Sequence, residues 1–419
     1  MTPMEYLPRT VDLELDSLLL EVSAVALEGP KGVGKTDTAR RRCTAEWRLD
    51  DPAQREIVRA DFALSTAPPG QLLIDEWQQL PQVWDSVRRQ VDAGAPPGRF
   101  LLTGSATPVH AAGTHSGAGR ILSLRMRPMA LHERGVVAPT VSLAGLLSGE
   151  AGKIDGTSAY SLADYARAIV EGGFPAMLAA SPRTRRVMLD SYLARVVDRE
   201  LPEQGFDVRR PETLRRWLAA YAAASSTTAA YSTVLDATTG GDGSQPAKET
   251  TAAYRDHLSR LWLVDPVPGW LPANNSIKRL QQAPKHQLAD PALAARLLGL
   301  TEASLTTVAG AHLFGPLFES LVALSVRVGA QAAEGRVSHL RLRGGDREID
   351  LIVEGPEGQV LAIEAKLTGA ASDADVRHLV WLRDQIPQRV VDLVVVTTGS
   401  VAYRRPDGVA VVPLALLGA

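Results

Sequence analysis

Residues 24–36 read AVALEGPKGVGKT, an apolar run that leads into a glycine-rich turn. Its last eight residues match the pattern G-x-x-x-x-G-K-[ST] and lie between a strand-like segment and a helix-like segment. Glycines let consecutive backbone N–H groups turn towards a phosphate, and the lysine reaches its outer oxygens. We therefore predict a nucleotide phosphate site, with the Thr36 hydroxyl as a Mg²⁺ ligand. The predicted cradle consists of Gly29, Pro30, Lys31, Gly32, Val33, Gly34, Lys35 and Thr36.

Two later strand-like runs end in polar residues that suit the same site. Residues 72–76 read LLIDE, which predicts that Asp75 orders the metal shell and that Glu76 polarises an attacking water. Residues 99–105 read RFLLTGS, and Thr103 or Ser105 is predicted to sense the γ-phosphate. Because parallel strands of one sheet end at the same edge, these side chains are expected to meet the cradle.

Length and composition bound the class of protein. A chain of 419 residues is long enough for two or three domains. It has no apolar run near the length of a membrane span and no secretory signal, so we expect a cytoplasmic protein without a membrane partner. The single cysteine, Cys43, excludes an internal disulfide framework, and the formal charge of −2 gives no global signature of nucleic-acid binding.

The pattern of polar and apolar residues changes twice along the chain. Residues 1–135 alternate strand-like and amphipathic stretches and predict an α/β domain with a parallel sheet. Residues 136–304 are mainly helical in pattern, and residues 305–419 predict a compact α/β module with the order helix, two strands, helix, strand.

Within the middle region, three short helices and a strand are predicted. They cover 214–224, 229–237, 250–262 and 263–267. This order is compatible with a winged helix-turn-helix, and an ordinary helical subdomain explains it equally well. Arginines are frequent between 183 and 216, but acidic neighbours favour a solvated helix surface over a phosphate-binding face.

The C-terminal module carries a second set of candidate residues. A helix over 314–328 presents Glu319, and a predicted hairpin brings Asp350 beside Glu364 and Lys366. Three carboxylates can hold one or two Mg²⁺ ions, and a lysine can stabilise the charge at an attacked phosphate. The arrangement resembles that of the PD-(D/E)xK nuclease fold. Solvated surface charges, or an intact fold without cleavage, are the alternatives.

The segments GPKGVGKT, LLIDEWQQLPQVWDSVRRQVD, GRFLLTGSA, SYLARVVDRE, REIDLIVE and AIEAKL resemble, in order, bacterial and archaeal AAA-type ATPases with a nuclease-like C-terminal domain of unknown function. The resemblance implies an ASCE-class P-loop domain, a helical or winged-helix-like middle domain and a restriction-endonuclease-like α/β end. It also implies that Arg120, after Gly119, is an arginine finger, with Arg125 and Arg127 as alternatives. The segment 227–248 looks looser than a tight helix-turn-helix.

Together these features predict an ATP-hydrolysing protein that uses Mg²⁺ and acts on DNA, with a possible metal-dependent nuclease centre. The alternative is a nucleotide-dependent switch or assembly factor whose nuclease-like domain binds a partner without cleaving it. A small-molecule kinase is less favoured, because the Asp75-Glu76 pair suits the activation of water. An arginine finger supplied by a neighbour predicts a homo-oligomer. The predicted catalytic residues are Glu76, Arg120, Glu319, Asp350, Glu364 and Lys366, and the predicted metal ligands are Thr36, Asp75, Glu319, Asp350 and Glu364.

Overall fold

The computed structural model describes residues 6–105, 117–238, 246–271, 283–308, 310–342 and 344–419. The described strands are β1 (Ala24–Glu28), β2 (Ala45–Arg48), β3 (Leu72–Asp75), β4 (Phe100–Gly104), β5 (Leu122–Arg125), β6 (Val141–Ser142), β7 (Arg336–Arg341), β8 (Glu348–Glu354), β9 (Val360–Lys366), β10 (Val390–Thr397), β11 (Tyr403–Arg404), β12 (Ala410–Pro413) and β13 (Leu417–Gly418). The described α-helices are α1 (Thr10–Glu21), α2 (Lys35–Arg40), α3 (Pro52–Ala60), α4 (Gln82–Asp92), α5 (Leu143–Ser148), α6 (Leu162–Glu171), α7 (Pro175–Leu178), α8 (Pro182–Arg195), α9 (Leu201–Glu203), α10 (Pro211–Ala223), α11 (Tyr231–Thr238), α12 (Lys248–Arg260), α13 (Pro291–Leu297), α14 (Glu302–Leu305), α15 (Ala311–Ala332) and α16 (Asp373–Gln385).

The N-terminal sheet is parallel, with the strand order β2-β3-β4-β1-β5. Alternate residues of its strands enter two different cores, since Val25 and Leu27 face one and Ala24 and Ala26 face the other. Burial on both faces explains why these strands read as continuous apolar runs. The predicted parallel sheet is confirmed, and its strand ends bring the cradle, Asp75 and Thr103 to one edge.

The middle of the chain is helical, as predicted. The helices α10, α11 and α12 correspond to the three short helices expected there. Two extended segments follow α12 and are bridged at Val264–Leu288 and Val267–Lys285. Upstream, α8 continues into a π-helical turn, Val196–Glu200, before α9 begins.

The C-terminal sheet is mixed, with the order β11-β12-β10-β9-β8-β7. The predicted hairpin is β8 and β9, whose register pairs Leu351 with Ile363. The expectation of two strands after the helix was incomplete, because β7 precedes the hairpin and pairs antiparallel with β8. Its sequence, RVSHLR, is short, and the adjacent polar residues Ser338 and His339 break the alternation of polar and apolar residues, so the strand signal was weak.

Helix α15 lies at the centre of the C-terminal half. Its buried residues contact the core cluster that extends through all three regions. Among the described residues it is the one helix long and apolar enough to cross a membrane by length and composition, and 67% of its most apolar window is buried within the fold. Near the chain end, β13 pairs with β6, so the segment after the N-terminal domain also packs on the C-terminal half. The domain limits at 135 and 304 remain predictions.

Candidate nucleotide site and C-terminal carboxylate centre

The cradle connects the end of β1 to the start of α2, and its glycines are required by geometry. Gly34 has φ of 100° at the N-cap of α2. A Cβ at Gly29, where φ is 152°, would lie 2.0 Å from the Met126 carbonyl oxygen. A side chain at either position would therefore force the loop out of shape.

The Lys35 side chain is folded into the cradle. It is only 7% exposed, and its Nζ donates hydrogen bonds of 2.8 Å to the carbonyl oxygens of Gly29 and Pro30. Burial lowers the pKa of Lys35 to about 8, although Glu76 and Asp75 oppose the change. The ammonium group is thus held at the loop by neutral acceptors, ready for an anionic partner.

The predicted metal ligands meet at the edge of the sheet. The Thr36 hydroxyl donates to Asp75 Oδ1 at 2.9 Å, and the Thr103 hydroxyl donates to the same carboxylate oxygen. A hydroxyl and a carboxylate in contact beside a phosphate-binding loop are hard oxygen donors of the kind that Mg²⁺ prefers. Thr36 and Asp75 therefore fit a Mg²⁺ ion, and Thr103 orients Asp75.

Glu76 is held in an unusual backbone conformation next to this carboxylate. Its φ is 53°, a left-handed value that is costly for a residue with a side chain and often marks an active site. Burial and the Asp75 charge raise the pKa of Glu76. The Gln78 amide contacts the Glu76 carboxylate and donates to Ser105 Oγ at 3.3 Å. Ser105 is thus linked to Glu76 through Gln78, whereas Thr103 donates a hydrogen bond directly to Asp75.

A buried ion pair that the sequence analysis did not identify supports the cradle. Arg9 donates to the Val33 carbonyl oxygen at 2.8 Å and pairs with Glu133 at 3.2 Å. Although burial opposes it, the Arg9 charge holds the pKa of Glu133 below its ordinary value. Nothing in the sequence around either residue indicated that the two segments meet.

The middle domain faces the mouth of the cradle. Lys31 pairs with Glu200 of the π-helical turn at 3.2 Å. Both residues line a cavity of about 440 Å³, together with Glu76, Arg195 and Arg199. π-Helical turns occur often at functional sites. These arginines belong to the stretch that the sequence analysis favoured as a solvated surface, and both are exposed while they line this cavity.

A second cavity, of about 470 Å³, opens on the other side of the cradle. It is lined by Gly34 and Thr38 together with Tyr6 and Arg41. The Arg41 guanidinium lies 4.1 Å from the centroid of the Tyr6 ring. The flat, partly apolar wall suits a planar aromatic group.

The three candidate finger arginines lie in different surroundings. Arg120 is half exposed before β5, and its Nε donates to Asp92 at 2.9 Å. Arg125 and Arg127 instead pair with buried Asp265, at 2.9 and 3.2 Å. Burial lowers the pKa of Arg125 to about 10. Arg120 is therefore the most exposed of the three.

The residues predicted for the C-terminal centre do converge. Asp350 Oδ2 accepts a hydrogen bond from the Ala365 backbone N–H at 2.9 Å, which places it beside the Glu364 strand. Lys366 Nζ donates to Glu364 Oε1 at 2.8 Å. Glu319 is joined to Asp350 through Lys285, a residue not predicted for this site, whose Nζ is 2.8 Å from an oxygen of each.

The C-terminal carboxylate centre does not fit a divalent metal ion while the Lys285 ammonium group lies among its carboxylates. Lys285 Nζ also lies 3.1 Å from Glu348 Oε1, so three carboxylates surround one ammonium group. Within the described part of the chain, no group of three or more His, Cys, Asp or Glu side chains has an arrangement that would hold a metal. Burial and the Asp350 charge raise the pKa values of Glu319 and Glu364. Both effects disfavour the ionised form of these two carboxyl groups.

Comparisons with known proteins divide the chain into three matched regions. Residues 21–134 match an AAA domain family, residues 162–304 match a domain of unknown function (DUF8612), and residues 314–417 match another (DUF4143). The uncharacterized proteins Rv2008c of Mycobacterium tuberculosis and Mb2031c of Mycobacterium bovis are each 26% identical over 377 residues, which are 87% of this chain and 75% of theirs. A Walker-type ATPase of Pyrococcus abyssi, PABY2304, overlaps with a TM-score of 0.39 and 14% identity, over 68% of this chain and 94% of its own.

The strand order, the cradle and the carboxylate pair at one edge define a P-loop nucleotide-binding protein. With the family match over residues 21–134, the N-terminal part of the chain is an AAA-type P-loop ATPase domain. The mixed sheet at the C-terminal end corresponds to the DUF4143 domain.

Proposed function

We propose that this protein binds ATP with Mg²⁺ and hydrolyses it at the cradle, and that it works as a nucleotide-dependent switch or motor. The observation that carries the proposal is the contact of Thr36 with Asp75 beside a buried Lys35. In the proposed site Lys35 binds the outer phosphates, Thr36 and Asp75 hold Mg²⁺, and Mg²⁺ neutralises phosphate charge. The cavity at Tyr6 and Arg41 is proposed to receive the base.

Glu76 is proposed to orient and polarise the attacking water. Its raised pKa favours acceptance of a proton, and its backbone conformation fixes the side chain next to Asp75. Arg195 and Arg199 are proposed to close the cavity over the terminal phosphate from the middle domain. Hydrolysis would then change the contacts between the cradle and the π-helical turn.

The test is Glu76→Gln, which removes the carboxylate but keeps the size of the side chain. We expect nucleotide binding to persist and turnover to fall by about 10²–10⁴-fold, the range for a lost proton acceptor. Binding is measured with a fluorescent ATP analogue and turnover by phosphate release. Glu56→Gln is the matched control, because Glu56 is 63% exposed on α3. Unchanged turnover in Glu76→Gln would remove Glu76 from this role.

DNA is the partner that we propose for the middle domain. The support is the order of α10, α11 and α12 followed by two bridged segments, with Arg209, Arg210 and Arg216 exposed at or beside α10. The phosphate-release assay is repeated with duplex DNA, which is expected to raise turnover and to bind less tightly as salt increases. If DNA neither binds nor changes turnover, this partner is excluded.

For the C-terminal centre we favour the alternative that the domain binds without cleaving. Glu319, Asp350, Glu364 and Lys366 lie together, but the carboxylates already surround an ammonium group. The full chain, given Mg²⁺ or Mn²⁺ and single-stranded, duplex or branched DNA, is therefore expected to leave the DNA intact. Cleavage that disappears in Asp350→Ala would restore the nuclease hypothesis.

A further inference from the structure

Lys285 is the most completely enclosed charged side chain near the C-terminal centre. Its side chain is 1% exposed, and its Nζ lies 2.8 Å from Glu319 Oε1, 2.8 Å from Asp350 Oδ1 and 3.1 Å from Glu348 Oε1. The ammonium group donates hydrogen bonds to Glu319 and Asp350 and forms an ion pair with Glu348. The ammonium group is therefore enclosed by the oxygens of three carboxylates.

The backbone that carries Lys285 is fixed outside the C-terminal sheet. The Lys285 backbone N–H donates to the Val267 carbonyl oxygen at 2.9 Å, and the Val267 N–H donates back at the same distance. The next residue, His286, exchanges backbone hydrogen bonds with Thr227 and Ser226. Lys285 lies within the DUF8612 match, whereas its carboxylate partners lie within the DUF4143 match. One matched region thus inserts its lysine into the acidic centre of the other.

The position of Nζ is incompatible with a divalent ion between the same oxygens. Carboxylate oxygens approach Mg²⁺ at about 2.0–2.1 Å and occupy defined directions around it. An ammonium group that contacts both Glu319 and Asp350 fills the space between them. A second cation beside it would also be repelled by its charge.

One carboxylate oxygen in the centre is left over. Glu364 Oε1 accepts from Lys366, but the buried Oε2 atom has no hydrogen-bond partner among the described residues. Glu364 is 8% exposed, so bulk water does not compensate this oxygen well. The centre therefore offers more acidic oxygen than its two lysines satisfy. Removal of Lys285 would free the oxygens of Glu319 and Asp350, so that these side chains can close around a metal ion in place of the ammonium group.

We propose that Lys285 is the resident cation of the C-terminal carboxylate centre and takes the place of a divalent metal ion there. As a consequence, the centre binds no metal while Lys285 is inserted. Replacement of Lys285 by an uncharged residue converts the centre into a divalent-cation site formed by Glu319, Asp350 and Glu364. The inference concerns metal binding and is independent of whether the N-terminal domain hydrolyses ATP.

The experiment measures Mn²⁺ binding to the nucleotide-free full chain by electron paramagnetic resonance of the free ion. Every protein carries Asp75→Asn, which removes the carboxylate ligand of the proposed Mg²⁺ site at the cradle. The parent chain is expected to show no Mn²⁺ site that depends on Asp350. Lys285→Met is expected to gain about one ion per chain, as a three-carboxylate set can hold, and to lose it again when Asp350→Asn is added.

Lys366→Met is the matched control, because it removes the other lysine of the centre and leaves Lys285 in place. It is expected to gain no ion. Lys285→Gln, which keeps a hydrogen-bond donor towards Glu319 and Asp350, serves as the second variant if Lys285→Met does not fold by circular dichroism. An Asp350-dependent Mn²⁺ site in the parent chain would overturn the proposal, and so would folded Lys285 variants that gain no ion.

Discussion

Lys35 and Lys285 are both buried, yet their surroundings affect the ammonium group in opposite ways. Lys35 donates to two neutral carbonyl oxygens, and burial lowers its pKa to about 8. Lys285 is equally shielded from water, but the carboxylates of Asp350, Glu319 and Glu348 overcome burial and raise its pKa well above its ordinary value. The charge of Lys35 is thus not balanced by a direct contact with an anion, whereas the charge of Lys285 is balanced by the carboxylates that it contacts.

Nucleotide binding should therefore be coupled to proton uptake at Lys35. Phosphate oxygens at the ammonium group favour its protonated form, so the pKa rises from about 8 when nucleotide binds. Above pH 8 the free protein has lost part of this proton while the complex retains it. Affinity should consequently fall as pH increases from 8 towards the ordinary lysine value of 10.5.

Calorimetric titration in buffers of different ionisation enthalpy measures this uptake directly. Wild-type protein is expected to take up a proton fraction that grows between pH 7 and about pH 9. Lys35→Arg is the comparison, since its guanidinium stays protonated throughout and should show no such growth where binding is detectable. Equal uptake by both proteins would assign the proton to another group.

At this scale the sequence revealed one lysine and not the other. Lys35 lies in a local pattern of eight residues whose spacing reflects phosphate geometry. Lys285 meets Glu319 and Asp350 across separations of 34 and 65 residues, and its own segment carries no local motif. Contacts of that kind are set by how whole segments pack, which residue spacing in a single sequence does not encode.

At the scale of elements, one buried carboxylate joins three parts of the fold. Asp265 follows α12 and pairs with Arg125 and Arg127 at the end of β5 and with Arg327 of α15. Gln331 of α15 also donates to the Arg125 carbonyl oxygen at 2.8 Å. The edge of the ATPase sheet is therefore held to the helix that carries Glu319. We expect changes at the sheet edge to be transmitted to that helix.

Asp265→Asn should destabilise this junction strongly. It leaves three arginines with no carboxylate, and breaking a buried ion pair by removing one partner costs about 3–5 kcal/mol. Because arginine contacts hold the pKa of Asp265 below its ordinary value, its contribution is present at neutral pH and is lost on acidification.

Urea denaturation followed by circular dichroism at pH 7 measures the effect as a lower midpoint. Asp256→Asn is the matched control, because Asp256 is 59% exposed and pairs only with its neighbour Arg255 among the ion pairs of the described residues. Its midpoint should stay close to the wild-type value, because the free energy of unfolding should change by no more than about 0.5 kcal/mol. Similar midpoints for the two variants would show that the Asp265 cluster adds nothing to cohesion.

Elements with a strong periodic signal were predictable, and those defined by long-range pairing were not. The apolar strands of the parallel sheet and the β8–β9 hairpin follow from runs of apolar residues and a turn. Strand β6 has two residues and is defined by its pairing with β13. The paired residues Val141 and Leu417 are separated by 275 intervening residues. The sequence left the winged-helix-like order open because an ordinary helical subdomain explained it equally well. In the structure, the two extended segments form only isolated bridges.

At the scale of the whole molecule, the predicted arginine finger implies that the chain works with a copy of itself. Arg120 is half exposed and is held by Asp92 at the end of α4, whereas Arg195 and Arg199 line the cavity at the chain's own cradle. A finger in trans requires a neighbour to complete the site. The middle-domain arginines would instead complete it within one chain.

Mixing two inactive variants separates these arrangements. Arg120→Ala has an intact cradle but no finger to donate, and Glu76→Gln has an impaired cradle but keeps its finger. If Arg120 acts in trans, the mixture should hydrolyse ATP faster than either variant alone, because Glu76→Gln chains complete the sites of Arg120→Ala chains. The gain should increase with protein concentration, since it depends on association.

Arg88→Ala is the control, as Arg88 also pairs with Asp92 but lies on α4. Full activity of Arg120→Ala alone, or a mixture no faster than its components, would assign the phosphate-contacting arginine to the same chain and point to Arg195 or Arg199.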